Sequence, residues 1–239
     1  MMHICRLLAL LFLLISCATQ RPEGVTEAEV LYRESEQFIK AERFLLATEK
    51  LHTIKTHHPY SVYAAQADFL LAEILFLQGN YAEAAANYLM FRDLHPRFER
   101  MEYVIYQIAQ SYYKQLPSTH DRDLSSAHDA IRFFREIQAL YPKGKYAIEA
   151  EERCNELKDL LQKKEFYVAN FYYNTEVYDA AFYRYNTIYK NFPQSKEAIL
   201  GALKSLYQDK KKEECLNFPT GEFSTSKEIQ KIKKRCSTI

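Results

Sequence analysis

Apolar and polar positions along this chain follow a helical period, and four stretches repeat one spacing. Counting from Tyr81, small or apolar residues fall at Ala84, Ala85, Tyr88 and Phe91, and Pro96 closes the stretch. The same offsets return from Phe44 (Ala47, Thr48, Leu51, Ile54, Pro59), from Ala127 (Ala130, Ile131, Phe134, Ile137, Pro142) and from Tyr178 (Ala181, Phe182, Tyr185, Ile188, Pro193). Residues three and four apart share one face of a helix, so each stretch predicts a helix with one buried stripe. Proline lacks an N–H and pushes its predecessor into extended geometry, so each helix is expected to stop just before its proline. The alanine that opens every stripe fits a close helix crossing, where a methyl group is the largest side chain with room.

A helix of this kind is the second member of a tetratricopeptide-type hairpin, and the intervening segments supply first members. Thr26 is a candidate N-cap for a helix from Glu27 to about Ala41, with Leu31, Ser35, Phe38 and Ile39 inward. Ser61 is placed to cap Val62 to Leu77, which is expected to bury Phe69, Ala72 and Phe76. Gly79-Asn80 reads as a tight turn with positive φ. Helices follow from Met101 to Gln115, from about Tyr146 to Tyr173 without a Pro or Gly, and from Gln194-Ser195 with Ile199, Leu200, Leu203 and Tyr207 inward. Past Asp209 the pattern decays at Asn217-Phe218-Pro219-Thr220-Gly221, and Ser226 is read as the cap of a short basic helix, Lys227 to Arg235. The expected fold is all-α, a tetratricopeptide-like right-handed α-solenoid of about five helical hairpins. Residues 27–96 form repeats one and two; 97–142 form repeat three with an inserted loop, 116–125; 143–193 form repeat four with a long first helix; and 194–239 form an irregular fifth repeat with a basic C-terminal helix.

Composition narrows the class. With 48% hydrophobic and 26% charged residues the chain can build a core, and five Gly with no Trp argue against a turn-rich β protein. A formal net charge of +1 excludes nucleic-acid binding by bulk charge. At the N-terminus, Arg6 precedes the apolar run Leu7 to Ile15, too short to span a bilayer. It leads into Leu14-Ile15-Ser16-Cys17, which resembles the bacterial lipobox. That resemblance implies a signal peptide at 1–16, lipidation of Cys17, a tether at 17–26, and, with Ala18 in place of Asp, release to the outer membrane.

Candidate chemistry is sparse. Cys154, Cys215 and Cys236 form no Cys-x-x-Cys and have no His at ligand spacing, so no metal is expected. Cys215 and Cys236 are a candidate disulfide pair for an exported chain, a pairing that sequence leaves open. His57-His58 fall at a helix end, and Glu151-Glu152, Glu213-Glu214 and the run Lys231, Lys233, Lys234, Arg235 read as solvated helix surface. Without a phosphate loop, nucleophile elbow or metalloprotease signature, no cofactor and no enzymatic activity are expected. Aromatics are the surplus: Tyr60 and Tyr63, Tyr112-Tyr113 and Tyr172-Tyr173 exceed what a repeat core needs. An aromatic-lined face flanked by Lys and Arg suits an extended peptide with an apolar side chain and a carboxylate end.

Several segments carry a family resemblance. Pro59-Tyr60-Ser61, the Asp121-Arg122-Asp123 loop, Glu165 to Tyr173 (Glu-Phe-Tyr-Val-Ala-Asn-Phe-Tyr-Tyr) and Ala180-Ala181-Phe182-Tyr183-Arg184 leading to Phe192-Pro193 are similar to the BamD (ComL/YfiO) lipoproteins of the outer-membrane β-barrel assembly machinery. The resemblance covers Cys17 to about Tyr207. It implies a non-enzymatic scaffold, lipid-anchored at the periplasmic face of the outer membrane, that meets other assembly lipoproteins. Its N-terminal repeats would receive the C-terminal segments of unfolded outer-membrane proteins near Tyr32, Phe38, Tyr60 and Tyr63. Its C-terminal repeats would dock the periplasmic domains of the BamA barrel near Arg122, Tyr183 and Arg184. A periplasmic tetratricopeptide lipoprotein that scaffolds cell-wall or division proteins is the alternative.

Overall fold

Four helices end in the same way. The residue before each motif proline, His58, His95, Tyr141 and Phe192, has φ between −126° and −137° and gives its N–H to the carbonyl four residues back, on Ile54, Phe91, Ile137 and Ile188. The clash of the proline ring with the preceding residue therefore stops all four helices in one geometry.

These stops belong to a computed structural model that describes residues 22–239, within which eleven α-helices and one 3₁₀ turn are found and no strand. In order they are α1 (Glu27–Lys40), α2 (Phe44–His57), α3 (Val62–Leu77), α4 (Tyr81–Leu94), α5 (Met101–Lys114), α6 (Ser125–Leu140), α7 (Ala147–Asn174), α8 (Tyr178–Asn191), α9 (Lys196–Gln208), α10 (Lys212–Asn217), the 3₁₀ turn Gly221–Thr225 and α11 (Lys227–Cys236). The proposed signal peptide and Cys17 lie outside the described residues. The chain forms two compact units, one ending at His95 and the other running from Pro96 to Ile239.

In the N-terminal unit each helix packs on the next, and α1 also meets α3. Thr26 caps α1 by accepting the Glu29 N–H at 3.2 Å, and Ser61 caps α3 by accepting the Tyr63 N–H at 3.2 Å. Gly79 takes φ 80° in the turn after α3, as its lack of a Cβ permits. Glu42 sits at φ 56° in the equivalent turn after α1. Arg43 and Asn80 N–H groups then reach back to Phe38 and Leu75 carbonyls, a Schellman closure in both turns. Phe69 and Ala72 are buried, whereas Phe76 is only partly so, its ring edge-on to Tyr81 at 5.3 Å beside the turn that joins α3 to α4.

The C-terminal unit repeats this construction. Consecutive helices pack from α5 to α9, and the 28-residue α7, about 42 Å at 1.5 Å per residue, contacts α6 and then α8. All four motif alanines, Ala47, Ala84, Ala130 and Ala181, have no exposed surface. Two repeats also share a polar lock: Tyr88 donates to Glu73 at 2.5 Å, and Tyr185, at the same motif position, donates to Asn170. Glu176 and Lys210 adopt φ 65° and 57° at the turns preceding α8 and α10.

The fifth hairpin departs from the pattern, and two sequence readings need correction there. Helix α10 stops after six residues, and α11 packs on α9 and α10, burying Ile229 and Ile232. A disulfide joins Cys215 to Cys236, Cα atoms 6.1 Å apart, so the pairing that sequence left open is made. Ser226 stands at the N-cap of α11, but its side chain makes no capping bond. The basic run is not simply a solvated face. Lys233 Nζ donates to the Leu216 and Phe218 carbonyls, each at 2.9 Å, and the Arg235 guanidinium lies 4.3 Å from the Tyr207 ring centre. These carbonyls belong to the last turn and the C-cap of a truncated helix and lack intrahelical partners, which is why a lysine is drawn inward.

Two tyrosine hydroxyls make the fold sensitive to alkali. Burial, reinforced by the Glu149 carboxylate that accepts its hydrogen bond at 2.8 Å, pushes Tyr106 up to about 12. Burial and the nearby charge of Glu197 push Tyr185 up to about 12. A phenol in the unfolded chain ionises near 10. The folded values are raised, so the stability these groups contribute is fully present below about pH 10 and is lost as pH climbs through about 12. In a tyrosinate absorbance titration, Tyr106 and Tyr185 are expected to ionise late and together with loss of helical circular dichroism. A single transition near 10 with helix intact would contradict this.

Candidate binding surfaces

The N-terminal candidates divide into a cluster and an outlier. Tyr32 of α1 and Tyr63 of α3 are in ring contact, centroids 5.2 Å apart, and with Phe38 they pack partly buried against Leu31, Ala47, Leu51, Ile54, Ala67 and Ile74. The Arg43 guanidinium covers the Phe38 ring at 5.2 Å. Three of the four predicted residues thus share one apolar cluster with half-exposed edges. Tyr60, on the turn before α3, is fully exposed and stands apart from it.

In the C-terminal unit, the second half of α7 gathers the candidates. Lys164 Nζ donates to the Asp121 carbonyl at 2.6 Å and the Arg122 carbonyl at 3.1 Å, which pins the inserted loop to the long helix. Asp123, two residues before the first residue of α6, accepts the Ser125 hydroxyl at 2.8 Å and N–H at 3.0 Å; these bonds hold its carboxyl below the usual carboxylate range. One residue along α7, Glu165 accepts from Arg184 Nη1 at 3.3 Å, and Tyr183 beside it is well exposed. Beyond this pair lies a cleft of about 290 Å³ between α6, α7 and α8, floored by Leu161, Ile188 and Phe192 and edged by His128, Lys164 and Glu165. An apolar floor with a rim of both charges can seat a nonpolar side chain and hold a polypeptide by its polar groups.

Neither Lys164 nor Leu161 is singled out by the sequence. The inserted loop lies some forty positions before Lys164, and no local pattern announces such a contact. A second cleft, about 420 Å³, opens between α7, α8 and α9, lined by Asn170, Tyr173, Tyr185, Lys196, Glu197 and Lys204 among others. Its floor requires Gly201, where a methyl group would come within 2.4 Å of the Tyr185 ring. Among the described residues, no three His, Cys, Asp or Glu side chains converge as a metal site, and no helix is long and apolar enough to cross a membrane.

Residues 25–217 match the family model described as YfiO, outer membrane lipoprotein. The chain belongs to the YfiO family. Curated relatives named outer membrane protein assembly factor BamD include that of Vibrio cholerae, 26% identical over 199 residues, covering 79% of this chain and 82% of the relative. That of Neisseria meningitidis serogroup A is 28% identical, covering 82% of this chain and 80% of the relative, and that of Neisseria gonorrhoeae is 27% identical, covering 89% and 90%. Among solved structures, the TPR domain of P58(IPK) is similar with a TM-score of 0.46 at 16% identity, over 89% of this chain and 55% of that one. The TPR2AB domain of yeast Sti1 in its pHSP90 complex gives a TM-score of 0.45 at 12% identity, over 90% and 100%. The YfiO family is thus that of the BamD outer membrane assembly factors, built here from tetratricopeptide-like hairpins.

Proposed function

We propose that this YfiO-family chain is a non-enzymatic scaffold of outer-membrane β-barrel assembly, anchored through acylated Cys17 at the periplasmic face. The observation that carries the reading is the family match over residues 25–217, shared with relatives named as assembly factors. On this reading the C-terminal unit docks the periplasmic domains of a BamA-type barrel through Arg122, Tyr183 and Arg184, beside the cleft between α7 and α8. The N-terminal unit takes C-terminal segments of unfolded outer-membrane proteins at Tyr32, Phe38 and Tyr63, with Tyr60 standing exposed on the turn before α3. Holding client and barrel on one chain raises their effective concentration without any covalent chemistry.

A detergent pull-down from native outer membranes, with Cys17 intact, tests this. A large β-barrel protein with repeated periplasmic domains is expected to co-purify with the parent chain and to be lost with Arg184→Glu. The ion pair with Glu165 is solvent-exposed, so the substitution is expected to change stability by no more than about 1 kcal/mol and the melting temperature should hold. Recovery of cell-wall enzymes or division proteins with no barrel would replace this reading with the alternative scaffold.

A further inference from the structure

Helices joined by short turns run antiparallel, so the ends of the N-terminal unit alternate. The start of α1, the α2–α3 turn and the end of α4 share one end; the α1–α2 and α3–α4 turns share the other. At the first end, side chains that ordinarily avoid water stand in it: Val25 is 95% exposed, Tyr60 101%, Val62 79% and Leu94 63%. The opposite end also shows Leu45 at 82% and Leu77 at 54%, so exposure alone does not single out either.

The covalent chain does. The first described residue is Pro22, and Cys17 lies five residues before it. Five residues span at most about 18 Å fully extended, and they start from a segment fastened to the first half of α1, where the Glu23 carbonyl accepts from Arg33 at 2.8 Å and the Val25 N–H donates to Glu29 at 3.0 Å. If Cys17 carries acyl chains, the end bearing Val25 and Tyr60 is therefore the one nearer the anchor, and the end bearing Leu45 the farther one. Tyr60 is also presented rigidly. It sits between Pro59 and Ser61 in a turn closed by the Ser61 N–H to His58 carbonyl bond at 3.0 Å, with the Ser61 hydroxyl capping α3. A tyrosine ring, apolar with one polar tip, favours the headgroup layer, and valines beside it favour the acyl boundary.

We propose that this end of the N-terminal unit is a membrane-surface contact, in which Tyr60, Val25 and Val62 seat in the headgroup layer of the leaflet that holds the Cys17 acyl chains. It rests on the reading that Cys17 is lipidated. The contact gives the N-terminal unit a fixed orientation on the leaflet.

The chain contains no tryptophan, so single-Trp variants report without background. Full-length mature protein carrying Tyr60→Trp or Leu45→Trp is reconstituted into vesicles of phosphatidylethanolamine and phosphatidylglycerol, with and without brominated acyl chains. Mass analysis of the N-terminal peptide establishes acylation of Cys17 in each preparation. The expected result is a blue-shifted Tyr60→Trp emission that loses most of its intensity to brominated lipid, as a residue some 5–10 Å into the interface should, while Leu45→Trp keeps its emission. Equal quenching at both positions, or none at Tyr60→Trp in acylated protein, would overturn the contact and leave the anchor standing. A Tyr60→Trp shift produced by a C-terminal client peptide without vesicles, and no bromolipid quenching, would assign residue 60 to the client surface and overturn it too. Absence of acyl chains on Cys17 would sink the anchor reading and the contact with it.

Discussion

Reduction of the Cys215–Cys236 disulfide, or its removal by Cys236→Ser, is expected to lower the stability of the C-terminal hairpin by about 3 kcal/mol, the loop-entropy value for a bridge closing this length of chain. The separation is 21 positions. Local structure offers little in compensation, because α10 has six residues, well below the length at which a helix persists unaided. Ile229 and Ile232 of α11 bury against the last helices, and the segment between them and α10 is held by Phe218, whose ring meets Phe182 and Tyr189, by the 3₁₀ turn and by the two Lys233 bonds. Without the covalent link, α11 pays the full entropy of docking, and Cys236→Ser also leaves a hydroxyl where a sulfur had no exposure. Denaturant unfolding with and without reductant gives the magnitude, and hydrogen exchange gives the location. The α11 amides should lose protection first. A midpoint indifferent to reductant, with α11 still protected, would mean that the apolar contacts alone hold it.

The parts of this molecule that sequence announces are those decided within one helix. A proline stops the helix before it by a local clash, and an alanine at a crossing leaves a local periodicity, so Pro59 and Ala47, or Pro193 and Ala181, are readable together. The turns were only half readable. Gly79 signals positive φ because glycine alone takes it without cost, while Glu42, Glu176 and Lys210 occupy the same conformation as side chains that normally avoid it. The signal lay in register: each stands two residues before the next helix. Applied to Lys210, that register makes Lys212 a fifth motif start and puts Cys215 in the alanine slot, buried as the alanines are. The candidate surfaces were least readable. Arg184 entered by resemblance to a family. Its partner Glu165 is nineteen positions back, and the clamp of Lys164 on the 121–122 backbone spans more than forty. Such contacts follow from how helices stack, which no stretch of sequence states.

Ala181→Leu is expected to cost about 3 kcal/mol, because three added carbon atoms would enter a crossing that has no room for them. Ala181 has no exposed surface, and it shares its core cluster with Ala169 of α7 and with Ala198, Ile199 and Ala202 of α9. Relief requires α8 to lift away from α7, which also strains the Tyr185 bond to Asn170 one turn along the same interface. Ala180→Leu, one position away on a partly exposed face, is the matched control and should change stability by about 0.5 kcal/mol or less. Thermal melts separate them: at roughly 2–4 °C per kcal/mol the buried substitution should lower the midpoint by about 6–12 °C. Equal midpoints would show that the alanine is not set by the crossing. The same pair sharpens the binding test, since lifting α8 also parts Arg184 from Glu165. Ala181→Leu should therefore lose the barrel protein together with thermal stability, whereas Arg184→Glu should lose the barrel with the melt unchanged. Only the second pattern assigns the contact to the charge itself, and a barrel retained by Arg184→Glu but lost by Ala181→Leu would move the interface from the arginine to the shape of the α7–α8 surface.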